Sequence, residues 1–125
     1  MDKNHNIAKK SNLATRLNSN QFAITAEITP PISGDSSDVF KKIMPLKDIV
    51  DAINVTDGPN ANVHMSSLAA SAIMQRSGIE PIVQITCRDR NRIALISDLL
   101  GISALEIKNI LILTGDNPTS GDQPT

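Results

Sequence analysis

Four short stretches rich in aliphatic and β-branched residues recur along this chain, and segments with helical spacing lie between them. The stretches run from Phe22 to Thr29, Ala52 to Thr56, Pro81 to Thr86 and Asn109 to Thr114. Polar groups mark their ends: Glu27, Thr56, Thr86 and Thr114 follow one another at intervals of 29, 30 and 28 residues. Strand and helix alternating at that spacing predict βαβ units, right-handed crossovers and a parallel sheet. A (β/α)8 TIM barrel of about 250 residues allots about 31 to each unit. An open doubly wound sheet has similar units, so the spacing admits both α/β architectures. The 125 residues supply about half a barrel, with four strands and three helices. Four parallel strands alone would leave two unpaired edges. Such a half is expected to need the missing half, a complementing chain or a second copy.

The intervening segments read as follows. Pro30-Pro31 ends the first strand, and Ser36 or Ser37 would cap a helix carrying Val39, Phe40, Ile43 and Leu46. Pro45 predicts a kink or break in it. A second helix spans Ser66 to Arg76 with Leu68, Ala69, Ala72 and Ile73 on one face, and Gly78 stands just past its end. A third spans Arg90 to Leu100, with Ile93, Ile96, Leu99 and Leu100 inward and Gly101 closing it. The fourth strand is almost wholly apolar, as a strand covered on both faces should be. Residues 1–21 form a polar segment in which Ile7, Leu13 and Leu17 allow a short amphipathic helix or a tail; residues 22–125 form the barrel half.

Composition removes several function classes. Twelve basic against thirteen acidic residues leave a net charge of −1, with no basic excess to attract nucleic acid or an anionic membrane. The only aromatics are Phe22 and Phe40, too few for base-stacking platforms. A single cysteine, Cys87, rules out an internal disulfide and suggests a reducing compartment. It reads as a small buried packing residue, because no nearby histidine could activate it. No signal peptide and no membrane-spanning run are evident, so a cytoplasmic location is expected. His5 and His64 lack companions at ligand spacing, so no metal site is expected. Neither a Gly-x-Gly-x-x-Gly loop nor a Walker lysine pattern occurs.

The chemistry gathers at the strand ends. Glu27, Thr56-Asp57, Thr86-Cys87-Arg88-Asp89 and Thr114-Gly115-Asp116 would all reach one sheet edge. That edge, the C-terminal end of parallel strands, is where both candidate architectures place an active site.

In order and spacing, Glu27-Ile-Thr-Pro-Pro31, Val55-Thr-Asp57, Thr86-Cys-Arg-Asp-Arg-Asn91, Ser97-Asp-Leu-Leu-Gly101, Leu113-Thr-Gly-Asp116 and Gly121-Asp-Gln-Pro124 resemble the N-terminal half of the methylenetetrahydrofolate reductase family. The resemblance runs from about Phe22 onward. It implies a flavoprotein with FAD, or FMN, at the C-terminal face of a (β/α)8 barrel. NAD(P)H would be the hydride source and 5,10-methylenetetrahydrofolate the substrate reduced to 5-methyltetrahydrofolate. Departures from the family pattern include Gln84, where many bacterial members carry a flavin-contacting histidine, and Thr114, where many carry arginine.

The resemblance also implies roles. Glu27 becomes the catalytic acid that protonates a ring nitrogen of the folate, a task that burial at a strand end would favour. Asp116 becomes a second catalytic and substrate-facing residue, whose negative charge would favour a cationic folate intermediate. Thr56, Thr86, Arg88, Thr114, Gly115 and Asp116 become the cofactor-binding set, with Gly115 allowing close backbone approach. Plainer readings exist for several of them. Thr56 could be an ordinary strand residue; Asp57 could help hold the loop or the ligand, or be simply a turn residue. Arg88 and Arg90 could face a pyrophosphate, or Arg88 could pair with Asp89 near the helix start, with Asp89 or Asn91 as cap. Rival functions are a non-catalytic half-barrel that serves assembly or binding, and another pterin-binding barrel.

Overall fold

The computed structural model describes residues 10–124. Ile7 and His5 lie outside the described residues. A four-stranded parallel sheet forms from β1 (Thr25–Ile28), β2 (Ala52–Val55), β3 (Pro81–Thr86) and β4 (Asn109–Leu113), in the order β1-β2-β3-β4. The helices are α1 (Asn12–Asn18), α2 (Ser36–Ile43), α3 (Ser67–Arg76) and α4 (Arg92–Ala104). Each strand thus lies beside its predecessor, and the strand order never reverses. A doubly wound sheet would show a reversal, and with it a switch point. The arrangement is compatible with part of a TIM-like barrel wall.

Helix boundaries follow local chemistry. Asp35, rather than Ser36 or Ser37, caps α2 by accepting from Ser37 N at 2.8 Å. Pro45 ends α2 as expected, and the chain tightens into a 3-10 turn over Met44–Leu46. Ser66 caps α3, Asn91 caps α4, and Gly78 takes the left-handed conformation after α3 with φ 77°. Gly101 does not close α4. The helix continues to Ala104, and Glu106 supplies the left-handed residue beyond it, with φ 59°. β1 begins at Thr25, not Phe22, because β2 offers partners only from Ala52 onward.

The helix-side core joins Ile28, Ile53 and Val55 to Val39, Ile43, Ala70 and Met74. A second cluster joins Val83 and Ile85 to Ile102 and Ile107, with Leu68 and Leu95 packed against it. Two expected helix faces are corrected here. The buried stripe of α3 is Ser67, Ala70, Ser71 and Met74, while of the expected residues Leu68 and Ile73 pack partly buried at its flanks and Ala69 is exposed. Two small serines let the helix sit close to the sheet, and Ser67 Oγ donates to Gln84 O at 2.7 Å, which satisfies a buried hydroxyl. In α4 the buried residue is Ile102, whereas Ile93, Ile96, Leu99 and Leu100 are exposed among the described residues. That helix is apolar on most sides, so periodicity alone could not choose its face. β4, expected to be covered, is exposed from Ile110 to Leu113, since only β3 flanks it among the described residues.

The segment left open as helix or tail contains α1, which is tied to the opposite end of the sheet from the polar strand ends. Glu80 accepts from Asn12 N at 2.7 Å, Leu13 N at 3.1 Å and Asn109 Nδ2 at 2.9 Å. Asp51 accepts from Arg16 Nε and from Ile24 N, both at 2.9 Å. Two strand-start carboxylates therefore hold a seven-residue helix too short to persist alone. Glu80→Ala should destabilise the fold by about 1–2 kcal/mol, the scale of a lost cap with charged hydrogen bonds. Denaturant titration would measure this, and Leu13 amide exchange should accelerate first.

Candidate functional site

Successive strand residues face opposite sides of a sheet. Because Ile28, Ile53, Val55, Val83 and Ile85 take the helix side, Glu27, Asn54, Thr56, Gln84 and Thr86 take the other. Register places Glu27 beside Asn54, Gln84 beside Leu111 and Thr86 beside Leu113. A cavity of about 340 Å³ opens at the C-terminal strand ends. Glu27, Thr56, Thr86, Thr114, Gly115 and Asp116 all line it, so six of the seven expected site residues meet in one place. Arg88 is the seventh and lines a neighbouring cavity instead.

Glu27 is exposed rather than buried, because it belongs to an edge strand and faces the open cavity. Its Oε2 accepts a hydrogen bond from Gln84 Nε2 at 3.1 Å. Thr56 lies next to this pair and is only 8% exposed. Its Oγ1 is buried with no hydrogen-bond partner among the described residues. A buried hydroxyl without a partner is costly; Ser71 Oγ on α3 shares that state, but only Thr56 lines the cavity.

Asp57, read from sequence as a turn residue, is the hub of the site. Its Oδ2 accepts from Thr86 N at 2.8 Å, from Thr86 Oγ1 at 3.1 Å and from Arg90 Nη1. Arg90 Nη2 reaches Oδ1 at 3.3 Å, and Arg90 Nε reaches Asp98 Oδ2 on α4 at 2.8 Å. The Asp57 and Arg90 side chains are 10% and 15% exposed. Arg90 therefore does not face outward to a phosphate. The hydrogen bond to Asp57 comes first among the causes that hold the guanidinium pKa above its ordinary value, with desolvation opposing. One carboxylate thus ties the end of β2 to the end of β3 and, through Arg90, to α4.

Arg88 fills a slot between two glycines. It donates to Gly58 O at 3.2 Å, to Asp116 O at 3.4 Å and twice to Asp89 Oδ2, at 2.9 and 2.7 Å. A Cβ on Gly58 would stand 2.6 Å from Arg88 Nη2, and one on Gly115 would stand 3.0 Å from Arg88 Cβ. Both glycines also have positive φ, 55° and 92°. Gly115 therefore makes room for Arg88 and Thr86. The hydrogen bond from Arg88 leads the causes that lower the Asp89 pKa. Asp116 is exposed, and its Oδ2 accepts from Asn60 N at 2.6 Å, holding the β2–α3 loop against the β4 loop.

The family model for methylenetetrahydrofolate reductase matches residues 12–125. The chain belongs to the methylenetetrahydrofolate reductase family. Membership makes it part of an oxidoreductase family of folate one-carbon metabolism. The match opens upstream of Phe22 and so takes in α1. A comparison with curated proteins found no match.

Sequence reasoning missed three features of this reductase-family site: the Asp57–Arg90–Asp98 network, the Glu27–Gln84 hydrogen bond and the exposure of Cys87. Asp57 and Arg90 are 33 residues apart, so no local pattern could pair them. Cys87 is exposed, one residue beyond the last strand position. Among the described residues, no group of three His, Cys, Asp or Glu side chains could hold a metal ion, and no helix is long and apolar enough to cross a membrane.

Proposed function

We propose that this chain carries the proton-donating, flavin-facing portion of an NAD(P)H-dependent flavoprotein that reduces 5,10-methylenetetrahydrofolate to 5-methyltetrahydrofolate. Family membership supports the reaction class. The observation that carries the cofactor reading is the orphaned Thr56 hydroxyl, buried in the wall of the cavity that Glu27 and Asp116 share. The residues present fit a flavin, FAD or FMN: Thr56, Thr86, Thr114 and Gly115 would hold it, with Asp116 close by. When bound, the flavin supplies a carrier that takes hydride from NAD(P)H and hands it to the folate. Glu27 gives its proton to a ring nitrogen of the folate, the five-membered ring opens at that C–N bond, and the carbon left behind is a cationic iminium. Asp116 stabilises that cation by Coulomb attraction. Arg88 acts one step back, holding the loops that carry Gly58 and Asp116.

The apolar side chains exposed on β4 and α4 support a covering surface, supplied by further strands, a complementing chain or a second copy. Nothing in the charge balance favours nucleic acid as a partner.

Thr56→Val tests the cofactor assignment. It deletes a hydroxyl with no partner among the described residues, so the free protein should keep or slightly gain stability. Flavin affinity, read by absorbance and fluorescence titration of the assembled enzyme, should fall about fivefold, the equivalent of one hydrogen bond of about 1 kcal/mol. Unchanged affinity would remove Thr56 from the flavin site.

A further inference from the structure

Gln84 stands on the strand between β2 and β4, and it is 5% exposed. Its backbone carbonyl is held by Ser67 Oγ at 2.7 Å, which fixes this part of β3 against α3. Its side chain reaches past β2, the intervening strand, to place Nε2 3.1 Å from Glu27 Oε2. Neighbouring strands lie about 4.8 Å apart, so the two side chains close a backbone gap of about 10 Å between them.

We propose that Gln84 is the positioning residue of Glu27, an amide that can serve the carboxyl group in both of its protonation states. This deepens, and rests on, the reading of Glu27 as the proton donor. A carboxylate only accepts hydrogen bonds, whereas a carboxylic acid must also donate one. A primary amide carries both functions on one planar group. With Nε2 toward Glu27, the orientation in the structure, Gln84 donates as an ionised carboxylate requires. Turned end for end, its carbonyl oxygen accepts the acid's proton. Glu27 can then gain and lose a proton at each turnover while its oxygens keep one place. Two other carboxyl groups face the same cavity. Asp57 is taken by Arg90 and by Thr86 N and Oγ1, and Asp116 accepts from Asn60 N; neither is hydrogen-bonded to Gln84.

The Gln84 side-chain amide signals in a nitrogen-labelled sample would be followed by NMR from roughly pH 3 to 7, the range in which carboxyl groups titrate. They should move with pH in the unaltered protein and in Asp116→Asn, and stand still in Glu27→Gln. Signals that stay fixed in the unaltered protein, or that still move in Glu27→Gln, would overturn the proposal. The second arm is kinetic. Gln84→Met keeps the length and loses both polar functions. In the assembled enzyme it should slow folate reduction by at least about tenfold, the loss of one hydrogen bond to a charged group. Reduction of the flavin by NAD(P)H should keep its rate; equal loss in both half-reactions would make Gln84 a structural residue and sink the proposal. Failure of the proton-donor reading looks different: Glu27→Gln would still reduce folate, while the Gln84 signals moved with pH in the unaltered protein and stood still in Glu27→Gln.

Discussion

Asp57→Ala should lower the stability of the fold by about 3 kcal/mol, the low end of the cost of breaking a buried ion pair. Three losses coincide. Arg90, 15% exposed, gives up the partner that takes two of its nitrogens and keeps Asp98 and the carbonyl and hydroxyl oxygens of Thr86. The Thr86 N–H loses its acceptor in a residue that is 2% exposed, and an unmet buried donor is itself costly. The Thr86 hydroxyl loses the acceptor that orients it. The remaining pair of Arg90 with Asp98 keeps the figure from being larger. Denaturant titration measures the change. A loss below about 1 kcal/mol, the level of an exposed pair, would show that water replaces Asp57 freely. Arg90→Met should cost less, because Asp57 would keep both Thr86 donors. The order of the two variants is therefore a second check.

With Glu27 as the proposed proton donor, Glu27→Gln should slow folate reduction about a thousandfold, in the middle of the range for a general acid. In the proposed reaction, hydride transfer from NAD(P)H to the flavin needs no proton from this residue and should keep its rate. Rapid-mixing measurements of the two half-reactions separate these outcomes. Little structural damage is expected, since Glu27 is exposed and makes one side-chain hydrogen bond, to Gln84. Glutamine matches glutamate in size, and its amide can still meet that of Gln84. Retained folate reduction would move the proton donor elsewhere, with Asp116 the next carboxyl on the cavity wall.

Local features were legible wherever local chemistry decides the conformation. Pro45 broke α2 because proline lacks the N–H and crowds the preceding turn. Gly78 followed α3 in the left-handed region, and β3 was bounded correctly because proline, β-branched residues and the polar end all agree there. Gly101 misled because glycine in a helix costs only about 1 kcal/mol, and Ile102 on its far side is anchored in the core. The faces of α3 and α4 also escaped reading. In α3 the sheet selected small serines over larger apolar residues, and in α4 apolar residues surround the helix, so its buried side depends on what packs there.

The strand-end rule carried the site further than any single residue did. Regular spacing of polar groups after apolar runs was enough to bring Glu27, Thr56, Thr86, Thr114, Gly115 and Asp116 to one edge, because parallel strands joined by similar crossovers must align their ends. By itself, then, the sequence determined a parallel α/β sheet, the edge that gathers its polar strand ends and, through its motifs, the family. Only the tertiary structure decided which groups touch. It gave Asp57 to Arg90 and Thr86, set Arg88 between Gly58 and Gly115, and left the Thr56 hydroxyl without a partner among the described residues. The physical reason is range. Periodicity and capping act over a few residues, whereas these contacts join groups tens of residues apart, and burial sets their strength.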